Sequence, residues 1–324
     1  MRRMMTLSYM VQPYSRGTFI LLVTSAVIRW PADIAKESLV SRPSAHPVSL
    51  AASAPPAAVD DDMPMVPAGT FTMGASDEGE QDERPAHSVA LGAFCMDRTE
   101  VTNEAYAECV AAKRCRPWDD QIATRNHAGP EAAFRGAKQP VVGVSWFDAR
   151  DYCSFRGKRL PREAEWEKAA RGTDGRKFPW GSAKPGAEHG VFGRAFGRDA
   201  TEVVGTHPQG RGPYGHDDLA GNVWEWVDDL YDPYAYRRAT APEGRGAECP
   251  AVLATQDELR RDGKQGFTGS NPIPNECERV LRGGAFNYWG DGLRSSNRVH
   301  HGASFRLVMS GFRCAKDVAG TSAK

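Results

Sequence analysis

Apolar positions recur with two different periods along this chain, and each change of period marks an element. In Met65 to Gly74, "MVPAGTFTMG", apolar and small residues alternate around a Pro-Ala-Gly turn, the pattern of a β-hairpin. "HSVALGAFCMDRTEVTN" continues as a further strand, after which Thr102 or Asn103 caps a helix over Asn103 to Ala112 that carries Ala105, Tyr106 and Cys109. The clearest helical signal is "PVVGVSWFDARDYCSFRGKRLPREAEWEKAARG". Ser145 with Asp148 makes a capping-box-like start, Trp146, Ala149, Tyr152 and Cys153 share one face, and Gly157 stops the helix. A second helix is predicted from Pro161, burying Ala164, Trp166 and Ala170 in part and ending at Gly172. From there to Gly221 the text is rich in turns, so something other than hydrogen-bond ladders must hold it.

Ahead of these elements, Thr18 to Ile28, "TFILLVTSAVI", is an apolar run preceded by Arg2, Arg3 and Arg16. It has signal-peptide length and is too short to span a bilayer comfortably, so residues 1–30 are read as a signal peptide on an exported, periplasmic or extracellular protein that does not span a membrane. Residues 31–62 are rich in Ala, Pro and Ser, without apolar periodicity, as in a flexible linker. The folded domain is placed at 63–318, with a tail over 319–324.

Charge narrows the partners. Lys plus Arg and Asp plus Glu number 41 each, so no global field draws nucleic acid or an anionic membrane, and small molecules, peptides and proteins remain. The 33 glycines, 22 prolines and 8 tryptophans indicate a loop-rich chain rather than a helical bundle or a doubly wound sheet. Seven cysteines fall at 95, 109, 115, 153, 249, 277 and 314, nowhere in a C-x-x-C spacing, and export makes disulfides the default. Spacing does not select the pairing, although Cys109 and Cys115 would close a short loop at the end of a helix.

The motifs that carry chemistry are few. "DDLAGNVWEWVDD", Asp217 to Asp229, places carboxylates and carbonyls together in a Gly-Asn turn. Calcium takes six to eight hard oxygens, which such a turn with Asp218 and Glu225 can supply in part; the alternative is a tryptophan-anchored turn with solvated acids. No G-x-S-x-G, H-E-x-x-H, P-loop or G-x-G-x-x-G occurs. His300 and His301 on one strand would point to opposite faces, which suits packing better than metal.

Together, "MVPAGTFTMG", "DRTEVTNEAY", the long helical segment, "FPWG", "LAGNVWEWVDD", "RVLRGGAFN" and "GFRCA" resemble, in order, the formylglycine-generating enzyme family, also called the sulfatase-modifying factor domain. The resemblance implies an α+β, modified C-type-lectin-like fold with little regular secondary structure. It implies a calcium site with side-chain oxygen from Asp218 and Glu225 and main-chain carbonyls from Gly221 and Val223. A second family calcium site lacks its asparagine here, leaving only Asp199. A family disulfide transfers onto Cys153 and Cys314, and a bridge of the animal enzymes is missing at both ends, near Ala170 and Ser295. Cys249 and Cys277 flank an insertion unlike the family core that they could bridge, leaving Cys95 free or competing for a partner.

The family's enzymes bind copper(I) through two cysteines just after a Gly-Gly-Ser. Counting from Gly283 and Gly284, these positions hold Tyr288 and Leu293, and the serine is Ala285. Neither side chain binds copper(I), so no copper and no formylglycine synthesis are expected, and whether another oxidoreductase activity exists is left open. The former substrate groove, with Trp180, Phe286, Tyr288, Trp289, Arg294 and Arg298, is expected to take a peptide, glycan or protein partner. Two alternatives stand beside this reading: a metal-dependent oxidase of different chemistry, like relatives acting in pyoverdine maturation, and a calcium-stabilised structural surface protein.

Overall fold

The computed structural model describes residues 62–122, 130–237, 249 and 277–318. The signal peptide, nearly all of the linker and the tail assigned from sequence lie outside the described residues.

Among the described residues, nine short strands and three α-helices, with a few single-turn 3-10 helices, make up the regular structure. Strands β1 (Met65–Val66) and β2 (Gly69–Met73) flank the Pro-Ala-Gly turn but do not pair with each other. β2 pairs antiparallel with β3 (His87–Leu91), whereas β1 pairs with β4 (Phe94–Met96), which pairs in turn with β9 (Ala315–Asp317). The predicted hairpin is therefore two strands of two sheets. The turn is held open because a buried ammonium occupies it: Lys168 Nζ donates to the carbonyls of Pro67 and Gly69, both at 2.8 Å. The single strand expected after His87 likewise divides at Gly92-Ala93 into β3 and β4.

Helix α1 (Asn103–Ala111) starts where Thr102 accepts from the Ala105 amide. α2 (Trp146–Phe155) starts at a reciprocal capping box: Ser145 Oγ accepts from the Asp148 amide, and Asp148 accepts from the Ser145 amide. Gly157, at φ 68°, follows its end, as read from the sequence. α3 (Glu163–Arg171) begins two residues later than expected, because Arg162 is still extended and the Pro161 carbonyl accepts from Asp228. Ala164, Trp166 and Ala170 are wholly buried rather than partly so, since α3 packs on β2 and, on another side, on β5 (Trp224–Leu230) and β6 (Glu278–Arg282).

β5 and β6 are the centre of a four-stranded sheet in the order β7 (Val299–Gly302), β6, β5, β8 (Ser310–Gly311), antiparallel except for the parallel β5–β8 pair. Two aromatic-rich clusters cover its faces, one around Trp166 and Tyr231, the other around Trp226, Tyr106 and Phe312. Disulfides join Cys109 to Cys115, Cys249 to Cys277, and Cys153 on α2 to Cys314, 161 residues further on; Cys95 is free. Among the described residues no helix is long and apolar enough to cross a membrane.

The irregular stretch after α3 is pinned to the sheet by backbone contacts. Gly221 N donates to Gly283 O and Asn222 N to Val191 O, each at 2.8 Å. Gly210 passes so close to the chain that a Cβ there would lie 1.7 Å from the His189 carbonyl oxygen.

Candidate functional site

At the end of β6 the chain turns through Gly283 and Gly284, at φ 100° and 84°, a conformation that side chains rarely adopt. A Cβ on Gly284 would stand 2.7 Å from Leu293 Cδ2, so the glycine pair lets the following loop fold back onto its own base. Leu293 is wholly buried there, packed with Phe178 and Ala220 and flanked by Trp180 and Phe192. Tyr288 lies edge-on to Trp224, ring centroids 5.0 Å apart, and burial raises its hydroxyl pKa. Backbone bonds fix the loop: Gly193 N to Tyr288 O at 2.6 Å, Arg194 N to Phe286 O at 2.8 Å and Gly292 N to Trp289 O at 2.8 Å.

Beside this loop opens a cleft of about 1120 Å³. One wall is the β2–β3 connection, with Ser76, Asp77 and Glu78; the other is the segment after α3, with Asp174, Lys177 and Phe178; the loop contributes Trp289, Asp291 and Arg294. Glu78 and Lys177 form an ion pair across it. Trp289 is 76% exposed.

Of the six side chains expected in a groove, only Trp289 and Arg294 line this cleft. Arg298, 3% exposed, is in the core: it donates to Glu163 from Nε at 2.6 Å and Nη2 at 2.9 Å and lies against the rings of Tyr231 and Tyr236. It is drawn inward because α3 buries the Glu163 carboxylate, and an uncompensated buried charge is costly. Phe286 is wholly buried against Phe134. Trp180 is stacked between Phe178 and His189, and Tyr288 supports the loop from behind. Arg294 itself is mostly committed, donating to Glu83 at 2.5 Å. The wall residues Asp77 and Glu78 were not singled out from sequence. Their signal was the polar run "GASDEGEQDERPA" between two alternating apolar segments, a long loop between paired strands.

The "DLAGNVWE" turn is built from left-handed residues: Asp218 at φ 57°, Gly221 at 94° and Asn222 at 59°. The Glu225 carboxylate is wholly buried and accepts from Arg313 Nε and Nη2, both at 2.7 Å, and from Trp166 Nε1 at 2.9 Å. Three of its roughly four lone-pair positions are thus used. Asp218 accepts from Gly205 N at 2.6 Å and faces Glu100, a residue the sequence reading missed. Glu100 is 1% exposed, its Oε2 has no partner, and burial with Asp218 beside it pushes its carboxyl well above the usual range. Asp218 and Glu100, two buried carboxylates facing each other with an orphaned oxygen, are hard oxygen donors of the kind calcium takes, while Glu225 is committed to Arg313 and Trp166, and among the described residues no group of three or more His, Cys, Asp or Glu is placed to hold a metal ion. Asp199, at the reduced second position, is held to about 2 by Arg198 and by the Ala195 amide, and already has its cation in that guanidinium.

Short antiparallel sheets, helices at their flanks, long pinned loops and an acid-lined turn define a C-type-lectin-like α+β domain. Residues 50–318 match the model of the sulfatase-modifying factor enzyme 1-like domain, and the chain belongs to the formylglycine-generating enzyme family. It is 34% identical over 267 residues to the serine/threonine-protein kinase pkn1 of Chlamydia pneumoniae, covering 79% of this chain but only 38% of that one. It is 32% identical to the formylglycine-generating enzyme of Streptomyces coelicolor, over 79% of this chain and 90% of that one. With the inactive C-alpha-formylglycine-generating enzyme 2 of Bos taurus it shares 33% identity, over 52% of this chain and 71% of that one. Among solved structures, PvdO from Pseudomonas aeruginosa superposes with a TM-score of 0.57 at 26% identity, over 79% of this chain and 94% of that one. Variable protein 1 of Treponema denticola, at 22% identity, a TM-score of 0.51 and 78% and 94% coverage, shares the fold.

Proposed function

We propose that this chain is an exported family member that makes no formylglycine and binds a peptide, glycan or protein partner in the cleft beside its glycine-pair loop. What supports this reading is the filling of the two positions that counting from the glycine pair assigns to copper. Leu293 is packed against Gly284 with no donor atom, and Tyr288 offers a phenol with a raised pKa. Copper(I) is held by soft thiolates, and with six of the seven cysteines in disulfides a single thiol, Cys95 on β4, is left. The named inactivity of the bovine relative supports the same reading. Three disulfides support an oxidising compartment and hence export.

Calcium is the cofactor we assign, with side-chain oxygen from Asp218 and Glu225, carbonyls of Gly221 and Val223, and Glu100 completing the charge. Bound there, the ion would neutralise buried carboxylates and tie β5 to the irregular segment. Likeness to the hercynine oxygenase of Mycolicibacterium smegmatis, at 30% identity over 78% of this chain and 61% of that one, favours one second reading, a metal-dependent oxidase of different chemistry. Metal analysis of protein purified from an oxidising compartment separates the two: calcium alone supports the binding protein, and stoichiometric copper or iron overturns it.

A further inference from the structure

The cleft already displays one way of holding a cation. Lys177 Nζ sits 5.6 Å from the centroid of the Phe178 ring and is paired with Glu78 from the opposite wall. An ammonium is thereby held between an aromatic face and a carboxylate, the arrangement in which cation–π attraction and ion pairing add. On the loop side the same two elements recur without a cation. Trp289 is the most exposed large apolar side chain among the described residues, and Asp291, two residues on, also lines the cleft. The Asp291 carboxylate has no hydrogen-bond or ion-pair partner among the described residues, since the bond to Arg294 uses its backbone carbonyl. Asp77 on the opposite wall is likewise unpaired among the described residues.

The remaining charges in the cleft are mostly spoken for. Arg171 is paired with Glu167, Arg294 with Glu83 and Asp174 with Arg176. Among the described residues lining the cleft, that leaves the carboxylates of Asp77 and Asp291 and the amine of Lys184 unpaired. An exposed tryptophan is a rigid, large contact surface of the kind that dominates binding energies, and here it is held by a loop whose backbone is fixed on both sides.

Resting on the binding function proposed above, we infer that Trp289 and Asp291 form a subsite for a cationic side chain, of lysine or arginine type, on a polypeptide partner lying in the cleft. The ligand cation stacks on the indole and pairs with Asp291, and Asp77 adds attraction from the far wall. Lys184 sets the limit, because a second cation placed near it is repelled.

The test titrates the full-length protein with four probes followed by NMR of the indole N–H signals. The probes are the capped peptide Ala-Ala-Lys-Ala-Ala, its glutamate and norleucine counterparts, and chitotriose. The lysine peptide is expected to shift the Trp289 signal, which Trp289→Ala identifies by removing it. Measured by calorimetry, its affinity should fall about fivefold in Trp289→Ala and about threefold in Asp291→Asn, and weaken with salt. Both residues are at the surface, so unchanged melting temperatures separate loss of contact from loss of fold. Equal binding of the norleucine peptide, or undiminished binding in both variants, overturns the inference. Chitotriose or the glutamate peptide shifting Trp289 while the lysine peptide does not overturns the cation subsite but leaves the binding function standing. No shift with any probe, in a protein that carries stoichiometric copper or iron, overturns both.

Discussion

Gly284 is where the site depends most on one atom. Its φ of 84° and the 2.7 Å approach of Leu293 to a would-be Cβ mean that Gly284→Ala must both strain the backbone and displace Leu293. A loss of about 2–4 kcal/mol is expected in denaturant unfolding, combining strain with overpacking. Leu293→Ala, which opens a hole at the same spot, should cost about 2–4 kcal/mol as well. At this scale the sequence was informative about frame and poor about depth. The Gly-Gly pair was legible as the turn after β6, whereas Phe286, Arg298 and Trp289 could not be sorted into buried and exposed. Arg298 is pulled into the core by Glu163, 135 residues away, and no local pattern encodes such a pairing. The same blindness hid Glu100, whose significance rests on Asp218 lying opposite.

Helix α3 shows what sequence patterns can and cannot do at the scale of an element. Its 3.6-residue period was legible, but it is buried on its charged side too, where Arg282 reaches Glu163 at 2.9 Å and Glu167 at 2.5 Å. Glu163→Gln leaves two buried guanidinium groups undercompensated and should cost about 3–5 kcal/mol, read from chemical denaturation. The start of α3 also carries a pH dependence. Asp229 accepts from the Glu163 amide at 2.6 Å, and burial with the Glu163 carboxylate nearby pushes its pKa up to about 7. The folded form thus holds that proton more tightly than the unfolded chain. Its contribution is present below about pH 4 and is lost as pH rises through about 7. Asp229→Asn should therefore melt higher than the parent at pH 8 and lose that advantage at pH 4. The capping box of α2 was legible because both partners are three residues apart. The β1–β2 segment was misread because period-two alternation says nothing about which strand is the partner, and Lys168 decides that from a distant helix.

For the whole molecule, irregular backbone is stabilised by ties rather than ladders. The Cys153–Cys314 bridge spans 161 residues, and removing it by a double alanine substitution should cost up to about 5 kcal/mol if loop entropy governs, less where the unfolded chain keeps structure. The calcium proposed at the Asp218 turn would be a second tie. A chelator should lower the melting temperature of the parent by several degrees and leave Asp218→Ala unmoved; an equal response in both would remove Asp218 from the site. The order of seven motifs made the overall fold readable, since the fold is a property of the family and those motifs are its structural joints. What the cleft binds was not readable, because its walls come from two loops far apart in sequence and their charged residues Asp77, Glu78, Asp174 and Lys177 lie outside the motifs. The central claim is that the glycine-pair loop keeps its frame without its oxidising centre. Its most direct test incubates the protein with copper, oxygen and a Cys-x-Pro-x-Arg peptide and weighs the peptide by mass spectrometry. The cysteine should be recovered unchanged, and conversion of that cysteine to formylglycine would contradict the account.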